Sequence, residues 1–180
     1  MKATHMLRVS ACLAASCLLL PATAQGQCPS DWLPGQAIPG VDGSVAAATA
    51  WNPPVPGLAL LVVGGSFEFA GDVVTNNIAA WDGSSWQPLG SGLRGTHAHV
   101  YALTVYNGDL IAAGAFSKAG DVRANNIARW DGSEWQALGG DVYGAVYALA
   151  IYNGELIAGG SFGWAGGVSA SRIARWNGSI

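Results

Sequence analysis

The chain is 180 residues long, 51% hydrophobic and only 11% charged, with a formal net charge of −3. That composition excludes a disordered chain, and the acidic balance argues against nucleic acid as a partner. Twenty-six glycines and eight tryptophans point to a β-rich fold with many turns and much aromatic packing.

Lys2 and Arg8 precede an apolar stretch from Val9 to Leu20, which is followed by Pro21 and the small tripeptide Ala22-Thr23-Ala24. This is the pattern of a secretory signal peptide over residues 1–24, cleaved after Ala24. The stretch is too short to span a bilayer, and no later segment reaches about 18 unbroken apolar residues, so no membrane span is expected. The mature chain is expected outside the cell or in the periplasm. Cys12 and Cys17 leave with the signal, and six basic side chains then face eleven acidic ones. Cys28 is left without an intrachain partner, which implies either a cysteine in another chain segment or a buried thiol. Gln27 before Cys28 argues against a lipid anchor.

Three copies of one unit follow. Trp81, Trp130 and Trp176 are spaced by 49 and 46 residues, as are Phe67, Phe116 and Phe162. A period in this range signals a propeller, a solenoid or an array. In the second copy, VYALTVY (100–106) alternates as a strand, Asn107-Gly108 is a hairpin turn, and DLIAAGAF (109–116) is a second strand. NIARW (126–130), the turn Asp131-Gly132-Ser133 and EWQALG (134–139) supply strands three and four. No segment carries a helical period. The expected fold is all-β: a β-propeller of four-stranded antiparallel blades, with two full blades and most of a third.

The expected boundaries are an N-terminal segment at 25–44, blade 1 with its following loop at 45–98, blade 2 with its loop at 99–144, and blade 3 at 145–180. In blade 1 the opening hairpin is widened by NPPVPG. Residues 31–51, DWLPGQAIPGVDGSVAAATAW, can be laid over EWQALGGDVYGAVYALAIY at 134–152. Residues 31–35 therefore read as an outermost strand without its own blade, of the kind that closes a propeller ring. The blade it would complete is expected beyond Ile180, with further copies between.

These residues resemble the kelch-type propellers in the wide sense of the galactose oxidase central domain. More closely, they resemble secreted bacterial repeat proteins with the pattern GGxF…AG…NIAxWDGxxWxxLG, and the Rax2-like repeats of fungal cortical markers. Gly64-Gly65 and Gly159-Gly160 match the kelch glycine doublet, and Trp86 and Trp135 its late tryptophan. The second copy departs with Gly114-Ala115 in place of the doublet, and Trp81, Trp130 and Trp176 stand where kelch repeats have tyrosine. The resemblance implies the fold and no particular partner.

Positions repeated in every copy are read as scaffold. Gly64, Gly65, Gly159 and Gly160 permit close approach near the axis, and Trp81, Trp86, Trp130, Trp135 and Trp176 fill space within and between blades. Asp72 with Asn76-Asn77 recurs as Asp121 with Asn125-Asn126, a set of oxygen ligands suited to calcium. The third copy has Gly167 and Ser171-Arg172 there, and local Asx turns explain the pattern at less cost. Asn177-Gly178-Ser179 matches a glycosylation sequon, yet it falls where Asp82-Gly83-Ser84 turns, and it reads as a turn.

Ligand contacts are expected on the face formed by the loops between second and third strands and between blades. Phe69, Lys118 and Trp164 share one loop position with no packing rule to fix it. The link GSGLRGTHAH (90–99) is three residues longer than GGDVYGA (139–145). Arg94, His97, His99, Lys118, Tyr143 and Trp164 are the candidate binding residues. His97-Ala98-His99 could set two imidazoles on one side of an extended segment, but no third metal ligand accompanies them. No catalytic motif, metal site or cofactor is assigned. A galactose-oxidase-like copper site fails for want of its tyrosine–cysteine link and of separated histidines. Paired carboxylates from Asp72, Asp121 and Asp141 are more simply turn residues. The expected function is a secreted, non-catalytic module that binds an extracellular glycan, cell-surface polymer or protein. The alternatives are a catalytic propeller or a structural, adhesive part of a larger exported protein.

Overall fold

The computed structural model describes residues 38–54, 57 and 59–178. The expected signal peptide over 1–24, Cys28 and the strand expected at 31–35 lie outside the described residues. Every regular element described is a β-strand, and no helix among the described residues is long and apolar enough to cross a membrane.

The first blade begins with β1 (Ser44–Trp51) and β2 (Leu60–Ser66), continues through a small hairpin of β3 (Phe69–Ala70) and β4 (Val73–Val74), and ends with β5 (Ile78–Trp81) and β6 (Trp86–Pro88). Its sheet order is β1-β2-β5-β6, antiparallel throughout. After a linking strand β7 (Leu93–Arg94), the second blade repeats the plan with β8 (His99–Tyr106), β9 (Asp109–Ala115), the hairpin β10 (Lys118–Ala119) and β11 (Val122–Arg123), β12 (Ile127–Trp130) and β13 (Trp135–Ala137). A second linking strand, β14 (Val142–Tyr143), leads to β15 (Val146–Tyr152), β16 (Glu155–Gly160), the hairpin β17 (Trp164–Ala165) and β18 (Val168–Ser169), and β19 (Ile173–Trp176). The third sheet has the order β15-β16-β19. The three sheets do not close into a ring.

The turns explain the repetition. Asn107-Gly108 and Asn153-Gly154 hold positive φ at both residues (52° and 89°, 50° and 77°), as the tightest hairpin turns require. At the strand three to strand four turn, Asp82 Oδ1 accepts from the backbone N–H groups of Ser84 and Ser85 at 2.8 Å each. Asp131 does the same for Ser133 and Glu134. Gly83, Gly132 and Gly178 all have φ near +100°, so Asn177-Gly178 takes the turn expected of it.

The core lies between blades. β1 packs beside β8, and β8 beside β15, so the first strand of each blade lines the axis. Val62, Ile78 and Trp51 of blade 1 join Val100, Leu110, Trp130 and Trp135 of blade 2 in one buried cluster. Ile111, Ile127 and Tyr106 join Val146, Leu156 and Phe162 in the next. The outward side of blade 3 is open: Ile173 is 65% exposed, whereas its counterparts Ile78 and Ile127 are 0% and 4%. Trp81 faces Trp86 across a strand pair with ring centroids 5.4 Å apart, and Trp130 faces Trp135 at 5.3 Å. All four indoles are buried, the spacing at which aromatic pairs add to area burial. Trp176 is half-buried.

The register corrects the reading of the glycine doublet in the second copy. Val45, Val100 and Val146 pair with Gly65, Gly114 and Gly160, so the doublet of blade 2 is Ala113-Gly114 rather than Gly114-Ala115. Each first strand bulges immediately after this pair, between Val45 and Ala47, Val100 and Ala102, and Val146 and Ala148. A Cβ on Gly65, Gly114 or Gly160 would overlap the carbonyl oxygen of Ser44, His99 or Ala145. The second glycine is thus required by the bulge in every blade. The first position tolerates the fully buried Ala113 in blade 2, although in blade 1 a Cβ on Gly64 would press on Val100.

Candidate functional site

The segments expected to be loops on one face are instead paired. In each blade the link that enters it runs beside the hairpin that joins its second and third strands. β7 pairs with β10, and β10 with β11. β14 pairs with β17, and β17 with β18. In blade 1 a single bridge, Val41 to Ala70, ties the link to the β3–β4 hairpin. Each link therefore pairs with the hairpin of the blade that follows it.

Alternation within these two-residue strands sorts side chains into an inward and an outward row. The inward rows are Val41/Ala70/Val73, Leu93/Ala119/Val122 and Val142/Ala165/Val168, small or branched apolar residues throughout. Ala70, Leu93, Ala119 and Val142 are buried, whereas Val122 and Val168, on the edge strands of their small sheets, are 39% and 65% exposed. The outward rows differ completely. Blade 1 presents Phe69 and Val74 beside Asp42, blade 2 presents Arg94, Lys118 and Arg123, and blade 3 presents Tyr143, Trp164 and Ser169.

Four of the candidate binding residues therefore meet in pairs: Arg94 stands opposite Lys118, and Tyr143 opposite Trp164. Tyr143 is 59% and Trp164 53% exposed. The Arg94 guanidinium is fixed through Nη2, which donates to Ser91 Oγ (3.0 Å), the Gly120 carbonyl (2.7 Å) and Asp121 Oδ1 (3.3 Å). Arg123 pairs with Asp141 at 3.7 Å and so joins the cationic row to the strand that carries Tyr143. Among the described residues Lys118 makes no ion pair.

The two histidines part company. His97 has φ +57° and is exposed, so His97-Ala98-His99 is not an extended run with both imidazoles on one side. His99 begins β8 and stacks on Tyr101 at 4.3 Å. Tyr101 meets Tyr147 edge-on at 5.2 Å, and Ser161 donates to the Tyr147 hydroxyl at 3.2 Å. Tyr101 and Tyr147 are the bulged residues of two axis-lining strands. The oxygen set Asp72, Asn76-Asn77 and its repeat has other work. Asn77 accepts from the Phe67 N–H (3.3 Å) and donates to the Leu93 carbonyl (2.7 Å), and Asn126 does the same with Phe116 (3.1 Å) and Val142 (2.7 Å). These amides seat each link on the preceding blade. Among the described residues no three His, Cys, Asp or Glu side chains converge as metal ligands would.

Arg123 escaped notice in the sequence, although comparing Val74, Arg123 and Ser169 between copies would have singled it out as Lys118 was. A cleft of about 390 Å³, lined by Ile127, Leu138, Leu156, Ala158 and Trp176, is not a separate site. It lies along β19 at the position that β6 and β13 fill in the other two blades.

Residues 153–178, from the Asn153-Gly154 turn to the Asn177-Gly178 turn after β19, match a family described as a domain of unknown function (DUF5122), beta-propeller. No curated protein and no solved structure matches the chain. Repeated antiparallel blades, apolar interfaces between them and this match together make the chain a β-propeller repeat protein.

Proposed function

We propose that the chain is an exported, non-catalytic binding module that engages an extracellular glycan, cell-surface polymer or protein through the outward rows of its small sheets. One observation carries this reading. Inward positions of the small sheets hold apolar residues in all three blades, while outward positions are acidic and apolar in blade 1, cationic in blade 2 and aromatic in blade 3. Scaffold needs account for the first set and not for the second. Exposed Tyr and Trp side by side on paired strands are also costly to leave in water unless something covers them. The kelch-like resemblance fits a rigid scaffold that displays such a surface, and the N-terminal signal pattern fits export.

The test is a glycan and extracellular-protein array probed with the wild-type chain and with the triple variant Lys118→Ala/Tyr143→Ala/Trp164→Ala. Loss of the wild-type signals in the variant, with Tm changed by no more than a few degrees, supports the reading. Signals that survive in the variant overturn it.

A further inference from the structure

The makeup of the outward rows narrows the ligand class, on the understanding that this inference rests on the binding surface just described. We propose that the rows of blades 2 and 3 form one continuous subsite for a carboxylated polysaccharide, with Arg94, Lys118 and Arg123 taking its carboxylates and Tyr143 and Trp164 stacking on its sugar rings.

The six Lys and Arg residues that follow residue 24 are few in an acidic chain. Three of them nevertheless occupy one cross-strand row, Arg94–Lys118–Arg123. Of the rest, Arg129 and Arg175 are committed to the blade sheets through Asp109 (3.0 Å) and Glu155 (3.2 Å). Neighbouring strands lie about 4.8 Å apart, close to the advance per sugar of an extended pyranose chain. The row thus offers a cation at each sugar step, and Tyr143 and Trp164 offer an aromatic surface at the same step. The Arg123–Asp141 contact joins the two halves, because Asp141 stands one residue before β14.

The acidic side chains nearby set the charge density rather than cancel it. Asp121, 98% exposed, and Asp141 reduce three positive charges to a net of one. Exposed pairs of this kind are weak, so a ligand carboxylate competes with them readily. Arg in particular presents a planar fork matched to a carboxylate. A modest net charge beside aromatic rings suits a polymer with one carboxylate per sugar or per disaccharide. A single-stranded nucleic acid, with a phosphate at every step, calls for a groove of greater positive charge. Blade 1 is not part of the subsite, since its row is apolar and Asp42 is held by the N–H groups of Glu68 and Phe69 at 2.9 Å each.

The full chain would be titrated calorimetrically with polygalacturonate, alginate and hyaluronate, with fully methyl-esterified polygalacturonate as the uncharged comparator and a single-stranded oligonucleotide as the competing polyanion. Binding of at least one carboxylated polymer is expected, weakened by added salt and lost on esterification. Lys118→Gln/Arg123→Gln should weaken it roughly tenfold, and Trp164→Ala should do the same. Phe69→Ala in blade 1 should leave it within about twofold, an outcome that a general loss of folding would not give. Binding to none of the three acids, or tighter binding to the oligonucleotide, overturns the inference. Tight binding of the ester that Lys118→Gln/Arg123→Gln leaves intact but Trp164→Ala abolishes also overturns it, while binding through the outward rows stands. Binding that no outward-row substitution alters overturns both.

Discussion

The indole N–H of Trp135 in the second blade donates to the carbonyl of Leu89, 2.8 Å away at the end of the first. Trp86 makes the same bond to Pro39 at 2.6 Å, and Trp51 reaches forward to the Gly108 carbonyl at 2.8 Å. The Trp135 and Trp51 bonds tie the first two blades together at fixed points, and the Trp86 bond ties blade 1 to the segment that enters it. Trp135→Phe retains most of the apolar volume but leaves the Leu89 carbonyl with the Gly92 N–H as its remaining donor, a loss of about 0.5–1.5 kcal/mol. Trp135→Ala also opens a cavity and should cost about 3–5 kcal/mol. Urea unfolding of both variants separates the two contributions, and a Phe variant as stable as wild type would show that the bond contributes nothing.

The bulge in each first strand makes a sharp forecast for neighbouring glycines. Gly114→Ala drives a methyl group into the His99 carbonyl, and β8 must shift away from β9. Overpacking of this kind costs about 1–3 kcal/mol. At Gly159 the nearest obstacle to a new Cβ is the Arg172 carbonyl at 4.0 Å, and φ is not positive there. Gly159→Ala should therefore be neutral or stabilising by about 0.4–1 kcal/mol through the unfolded chain. Thermal melts of the pair should move in different directions.

Asn126 combines a left-handed backbone, φ +69°, with two side-chain bonds that hold β14 against blade 2. Asn126→Gly keeps the backbone freedom and loses the bonds, whereas Asn126→Ala loses both. The expected order of Tm is wild type, then Gly, then Ala, with the last about 1–3 kcal/mol below wild type. The third blade has Arg172 at this position with φ +68°, so Arg172→Asn is expected to raise the Tm. An Ala variant as stable as the Gly variant would show that backbone conformation is not under tension there.

Strands, turns and blade order were legible in the sequence because their signals are local. VYALTVY alternates, Asn-Gly and Asp-Gly-Ser punctuate, and each tryptophan recurs at a fixed distance from them. The small sheets were not legible, because two residues carry no period. Leu93 pairs with Ala119 across a separation that only the folded blade brings together. For the same reason Lys118 and Trp164 were found as variable positions, while their partnership with Arg94 and Tyr143 was not. The spacing of Phe67, Phe116 and Phe162 already sets Gly114 level with Gly65 and Gly160, the register that the strand pairing shows. Tyr101 and Tyr147 came to the axis through a bulge, which shifts the facing of a side chain without any mark in the pattern.

Acid should loosen the turns on the face opposite the small sheets. The backbone N–H of Ser85, together with the hydroxyl and N–H of Ser84, stabilises the charged form of Asp82 and holds its carboxyl well below its ordinary 3.8. The N–H groups of Glu134 and Ser133 lower Asp131 in the same way. A carboxyl group lowered in the folded state contributes stability that is complete above the unfolded value and is lost as pH falls through the folded one. Asn at either position can still accept the same bonds but cannot gain from charge. The double variant Asp82→Asn/Asp131→Asn should be less stable than wild type at pH 7, with the gap unchanged down to about pH 4 and closing below it. Urea midpoints measured from pH 7 to pH 2 check this. A gap that is constant across that range would mean the bonds favour the charged carboxylates no more than the neutral amides.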